Sequence, residues 1–196
     1  MHPTSDDARQ RPDRLPPLAD HELTPQQQAA VQRISAGPRG SVFGPFVPLL
    51  RSPVAMEHLQ ELGAYLRFES PLPKALFEMA VLLTAHEREQ EFEWNYHLPL
   101  ARAAGVAETV IVAISGGTTP TGLTADESAA YRVVVESLRA NRVSDATYED
   151  AVARLGVQAT IDLTVTAGYY STLAMVMNLA QTPPPKPDPT AAPAGG

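Results

Sequence analysis

The sequence predicts an all-α fold, a single helical domain of about seven or eight helices. Three observations predict it. Capping residues and prolines recur where helices should start, and glycines where they should stop. Apolar residues recur at three- and four-residue spacing, whereas alternation at period two is rare and runs such as Val110 to Ile114 are too few for a sheet. The connections are short, and a chain of 196 residues without a long linker suits one domain.

The elements follow in order. Residues 1–22, rich in Pro, Asp, Arg and Gln, hold too little apolar surface to order themselves and read as a disordered arm. Thr24-Pro25 caps a first helix that should stop at Gly37-Pro38. The segment GSVFGPFVPLLRSP from Gly40 carries three prolines and two glycines among large apolar residues. It reads as an apolar loop laid over the core or a pocket. Ser52-Pro53 opens a helix to about Phe68, with Leu59, Leu62 and Leu66 at helical spacing. Ser70-Pro-Leu-Pro73 is a break before the central stretch, Lys74 to Gly105.

A short helix, Ala107 to Ile114, should then end at Gly116-Gly117. Thr124 with Glu127 makes a capping box, stapled by Leu123, for a helix of about 16 residues to Asn141. Ser144 caps the next, closed by Gly156. The last, Gln158 to Gln181, offers Ile161, Val165, Leu173, Val176 and Leu179 as its core stripe. Residues 182–196, TPPPKPDPTAAPAGG, form a Pro-rich tail, so the expected domain spans residues 23–181.

Composition narrows the function classes. The net charge is −7 and the cations are scattered, which argues against a phosphate-tracking surface and so against nucleic acid as partner. No window approaches an uninterrupted apolar membrane span, and the N-terminus lacks the apolar core of a secretory signal. A cytoplasmic location is expected, with small molecules and further copies of the chain as partners. With no cysteine there is no disulfide, thiolate metal site or thiol nucleophile.

The central stretch, KALFEMAVLLTAHEREQEFEWNYHLPLARAAG, holds two of the five histidines, the only tryptophan and Glu78, Glu87, Glu89, Glu91 and Glu93. Wound as one helix, it would put His86, Gln90, Glu93 and His97 within an arc of roughly 60°. Glu93 and His97 are an i, i+4 pair, and a carboxylate beside an imidazole favours and orients a proton-transfer group usable near neutral pH. Trp94 would add a flat apolar surface suited to a small unsaturated or cyclic acid. Glu87 to Glu91 with Arg88 read as a solvated patch, and the Glu93–His97 pair can equally be an ordinary surface pair. Pro99 removes the amide that would bond Asn95, and a break near Arg88 to Gln90 would undo the single helix. His86-Glu87 is followed by Gln90 where a zinc-protease helix needs histidine. No phosphate loop or nucleophile elbow is present.

The string from Glu78 through LLTAHEREQEFEWNYHLPLARAAGV resembles the signature helices of the carboxymuconolactone decarboxylase and alkylhydroperoxidase D-like superfamily, in a cysteine-free form. The resemblance extends from the GPFVPLL loop to the GYYSTLAMVMNLA helix. In the peroxidase pattern a glutamate precedes C-x-x-C and a histidine four residues later. Glu78 matches that glutamate, Gln90 and Glu93 stand at the cysteine positions, and His97 matches the histidine. Peroxide reduction in that branch needs two thiols, which this chain lacks. The decarboxylase branch also places a glutamate four residues before a histidine. Membership implies an all-helical subunit in trimers or hexamers and a site that needs no cofactor and no metal.

The expected chemistry is therefore that of a lyase or isomerase acting on a small carboxylated lactone or enol-forming acid. His97, held by Glu93, would move the proton, with Glu78 as a second acid or base whose pKa its apolar neighbours raise. Arg51 or Arg102 would take the substrate carboxylate, His86 would lie beside the site, and Trp94, Phe46 and Tyr169 would form the apolar wall. Two alternatives stand beside it: a non-catalytic ligand-binding or scaffolding protein, and a metal-dependent hydrolase using His86, Glu93 and His97.

Overall fold

The computed structural model describes residues 12–185; the expectations for residues 1–11 and 186–196 lie outside them. Eight α-helices and no strand are found among the described residues. They are α1 (Pro25–Ala36), α2 (Phe46–Leu49), α3 (Pro53–Phe68), α4 (Lys74–Glu87), α5 (Glu91–Ala103), α6 (Glu108–Ser115), α7 (Ala125–Ala140) and α8 (Asp145–Ala180). The all-α expectation holds.

The helix starts are made by the residues the sequence offers. Thr24 and Thr124 each accept from the amide three residues on, and Gln27 and Glu127 reach back to the cap amides. Ser144 accepts from the Thr147 amide. α7 ends at Asn141 in the left-handed region, which asparagine tolerates.

Every residue of α4 from Leu76 to Ala85 is buried. A helix apolar all round belongs in the centre of a bundle, and α4 packs on α5, α6, α7 and α8. Its one carboxylate within that run, Glu78, is thereby carried into the core. The GPFVPLL segment winds into the single turn α2, burying Phe46, Leu49 and Leu50 against α3 and α8.

α8 is interrupted at Gly156, whose φ of 82° takes the chain out of helical geometry. The glycine that should separate two helices does so by a kink. The expected core stripe of the last helix holds in its middle and fails at its ends. Leu173 is buried and Val165 and Val176 pack against the core, but Ile161 and Leu179 are 54% and 66% exposed. The buried face also runs through Leu163, Ala167, Tyr170, Ala174 and Met177, so alanine and tyrosine carry much of it, which a search for large aliphatic residues passes over.

Residues 12–22 are also held. The Arg14 amide donates to the Ala180 carbonyl at 2.7 Å, and Arg51 Nη2 donates to the Pro16 carbonyl at 2.6 Å. Backbone hydrogen bonds tie residues 12–22 down where apolar burial does not. A composition-based boundary weighs only the second.

Candidate active site

The central stretch is two helices. Glu89 adopts φ 50°, and Gln90 then starts α5 by accepting from the Phe92 amide at 2.8 Å. Asn178 of α8 pins this corner, donating to the Arg88 carbonyl at 3.0 Å and accepting from Gln90 Nε2 at 2.7 Å. The single-helix arc therefore does not exist: His86 ends on the α4 side, with its ring toward Gly117, away from the α5 groups. Pro99 stands inside α5 without interrupting it, and Asn95, whose carbonyl loses its helical partner there, is an exposed residue.

The reversal of chain direction brings a different carboxylate to His97. Glu78 Oε2 lies 2.7 Å from His97 Nδ1, and Glu93 Oε2 lies 3.4 Å from Nε2. All three side chains are buried. A carboxylate can only accept, so the tautomer that satisfies Glu78 carries its proton on Nδ1 and turns the Nε2 lone pair toward Glu93. The carboxylate that orients the ring is thus Glu78, where sequence reading gave that role to Glu93. Tyr96 and Tyr170 hold the imidazole edge-to-face, at centroid distances of 5.2 and 5.0 Å.

Burial separates the two partners electrostatically. It pushes the Glu93 carboxyl up to about 7, a rise opposed by the Arg39 and Arg67 guanidiniums and reinforced by Glu78. Burial lowers His97, against the Glu78 hydrogen bond that raises it. Below about pH 7 the favoured arrangement is a neutral carboxyl facing a neutral imidazole. That is an acid and a base side by side, from two groups of ordinary type.

Glu93 and His97 line a depression of about 280 Å³, including its open mouth. Phe43, Phe46, Phe92 and Tyr96 form much of its wall, and Arg39 and Arg67 lie within it. Tyr169 sits one step behind, accepting from Arg39 Nη2 at 3.2 Å. Trp94 packs half-buried against the core outside the lining, and Arg51 is spent on the Val47 and Pro16 carbonyls. Arg102 pairs with Glu108 at the surface. Trp94, His86, Arg51 and Arg102 are therefore corrected as pocket residues. Arg39, Arg67, Tyr96 and Tyr170 were missed; their only sequence signals were their places in GPRG, YLRF, NYHL and GYY.

Gly63 of α3 makes this corner possible. A β-carbon there would lie 2.1 Å from Tyr169 Oη and 2.4 Å from Arg39 Nη2. Gly63→Ala should cost about 1–3 kcal/mol by overpacking and push both groups from their places. Thermal melts would check the loss; an unchanged midpoint would mean the corner relaxes freely.

The metal reading needs His86 beside Glu93 and His97. Among the described residues no three His, Asp or Glu side chains form a group that could hold a metal ion.

Residues 53–136 match the model of the carboxymuconolactone decarboxylase family. No curated protein matches the chain. Among solved structures, the chain is similar to a protein of unknown function from Agrobacterium tumefaciens, for which an antioxidant defence role as AhpD has been suggested. Identity is 17% and the TM-score 0.60, over 70% of this chain and 94% of that one. That likeness is one of fold.

Proposed function

We propose that this chain is a member of the carboxymuconolactone decarboxylase family, whose model matches residues 53–136, and that it is a cofactor-independent acid–base enzyme. The reading is of a lyase or isomerase that moves a proton on a small carboxylated lactone or enol-forming acid. One observation carries it: a buried imidazole set by Glu78 on one nitrogen, with a carboxyl raised to about 7 at the other, beside an apolar-walled pocket.

In an isomerisation, His97 Nε2 takes a proton from the substrate carbon and the electron pair moves into the adjacent unsaturated system. The Glu93 carboxyl gives its proton to the far end of that system. The proton now on Nε2 passes back to Glu93 across the 3.4 Å contact, and the site is reset. In a decarboxylation only the second half is used. The C–C bond to the carboxylate breaks and CO2 leaves. Glu93 gives its proton to the carbon that keeps the electron pair and regains a proton from solvent. Glu78 keeps Nδ1–H in place throughout. No thiol step is open to a chain without cysteine.

The test is deuterium uptake. Wild-type protein in D2O should label enolisable lactones and short unsaturated acids at carbon, and His97→Ala should not. No labelling of any such compound by the wild type would sink the reading and favour a protein that binds without catalysis.

We further propose that the chain works as a homo-oligomer built on α8. Its exposed face carries Val157, Ile161, Thr164, Gly168, Thr172, Met175 and Leu179. The series reads nearly the same in both directions about Gly168, with Thr on Thr, Ile on Met and Val on Leu. Such a face can pair with its own copy about a two-fold axis, the glycines meeting at the centre. Gly168→Glu should shift the protein to smaller species in light scattering, with its helical content unchanged. An unaltered mass would remove this interface.

A further inference from the structure

Arg39 and Arg67 are two half-buried guanidiniums in one pocket, and each leaves its Nε buried without a hydrogen-bond partner among the described residues. Of the arginines outside the pocket, Arg14 and Arg51 are partnered by backbone carbonyls and Arg88 by the Ser171 hydroxyl. Arg33, Arg102, Arg132, Arg139 and Arg154 each sit on a carboxylate. Arg39 and Arg67 have no carboxylate within 4.0 Å among the described residues. Arg39 rests 4.5 Å over the Phe46 ring and donates to Tyr169, and Arg67 lies 5.8 Å from the Tyr96 ring centroid. Aromatic faces and a phenol hold these cations in place without neutralising them. Withdrawing a charge from water without a counter-charge is costly, and an orphaned donor adds to the cost. Two such cations facing one pocket describe a binding site for an anion, and the planar guanidinium fork fits a carboxylate.

The charges of the pocket fix how many. Glu78 as carboxylate offsets one guanidinium. Glu93 as carboxyl and His97 as neutral imidazole add nothing, so one positive charge is left. We infer that Arg39 and Arg67 hold the single carboxylate of a singly charged acid, with its reactive carbon toward Glu93 and His97. This rests on the acid–base reading and narrows it. A carboxylate held by two guanidiniums has its negative charge stabilised where it is, while decarboxylation must move that charge onto carbon. Such binding favours the ground state over that transition state. The pocket therefore suits a proton shift that leaves the carboxylate intact: one C–H bond broken, one formed, and no CO2 released.

Binding by three short compounds tests this apart from turnover, using calorimetry on the full chain at pH 6.5. Crotonate carries one charge, fumarate two, and crotonamide none. Crotonate should bind saturably, fumarate at least ~10-fold more weakly, and crotonamide not at all. Arg67→Gln and Arg39→Gln should each weaken crotonate at least ~10-fold, with melting curves confirming that each variant is folded. His97→Ala should still bind crotonate, so a wrong acid–base reading would leave this result standing. Absence of crotonate binding, binding of crotonamide as tight as crotonate, or an unchanged affinity in both folded arginine variants overturns the inference. Tighter binding of fumarate restores a dicarboxylate and with it the decarboxylase reaction.

Discussion

His97→Ala is expected to lower turnover at least ~100-fold, as is Glu93→Gln, because a positioned acid or base contributes about 10²–10⁴-fold. The two losses should not add. His97 and Glu93 exchange one proton across 3.4 Å, so removing either leaves the other without its partner. The double variant should fall close to the worse single one. Activity in the wild type should follow the same pair. It needs Glu93 protonated, and since that carboxyl lies at about 7, the rate should fall about tenfold per pH unit on the alkaline side. It also needs His97 unprotonated, and burial lowers that group, so the acid limb should lie below the ordinary imidazole value. Steady-state rates across pH would check both limbs. A rate flat through pH 8 would show that the Glu93 proton takes no part.

The second large effect is on stability, and it has the opposite sign. Glu93 is protonated more readily folded than unfolded, since its folded value is about 7 against the ordinary 4.5. Its contribution is therefore fully present below about pH 4.5 and is lost as pH rises through about 7. At 1.36 kcal/mol per unit, the loss is about 3 kcal/mol. Glu93→Gln removes it, so the variant should be more stable than wild type by up to about 3 kcal/mol at pH 8, and by little at pH 4. His97 acts in the other direction. Its lowered value stabilises the fold above the ordinary imidazole pKa and costs stability as pH falls. Because His97 is present in both proteins, the comparison between them isolates Glu93. Denaturant melts at both pH values decide it; a variant less stable than wild type at pH 8 would contradict the buried-acid account. A residue that destabilises its fold while serving the reaction is the expected trade between activity and stability.

Much of the fold was legible in the sequence because its signals are local. Thr24-Pro25, Thr124 with Glu127, and Ser144 mark helix starts through hydrogen bonds to their own next turn. The capping role of Gln90 was masked by its place in a charged run, which reads as continuous helix until Glu89 breaks it. The site was legible only as a list of residues. Glu78, Glu93 and His97 lie together in the candidate site, yet which carboxylate orients the ring depends on how α4 and α5 fold back on one another. A helical wheel cannot carry that information. Arg39 and Arg67 illustrate the same limit. Nothing in GPRG or YLRF distinguishes them from surface arginines until tertiary packing removes their water and offers aromatic rings in its place. Trp94 was overrated for the converse reason, since a lone tryptophan draws attention that its half-buried packing position does not repay.

The central claim is that Glu93 is a neutral acid facing an Nε2 lone pair at working pH. Nuclear magnetic resonance of protein labelled at the Glu carboxyl carbons and the His ring nitrogens measures both facts together. The Glu93 carboxyl should titrate with a midpoint of about 7, with His97 protonated on Nδ1 and bare on Nε2 through that range. A Glu93 midpoint near the ordinary carboxyl value, with His97 carrying its proton on Nε2, would contradict it.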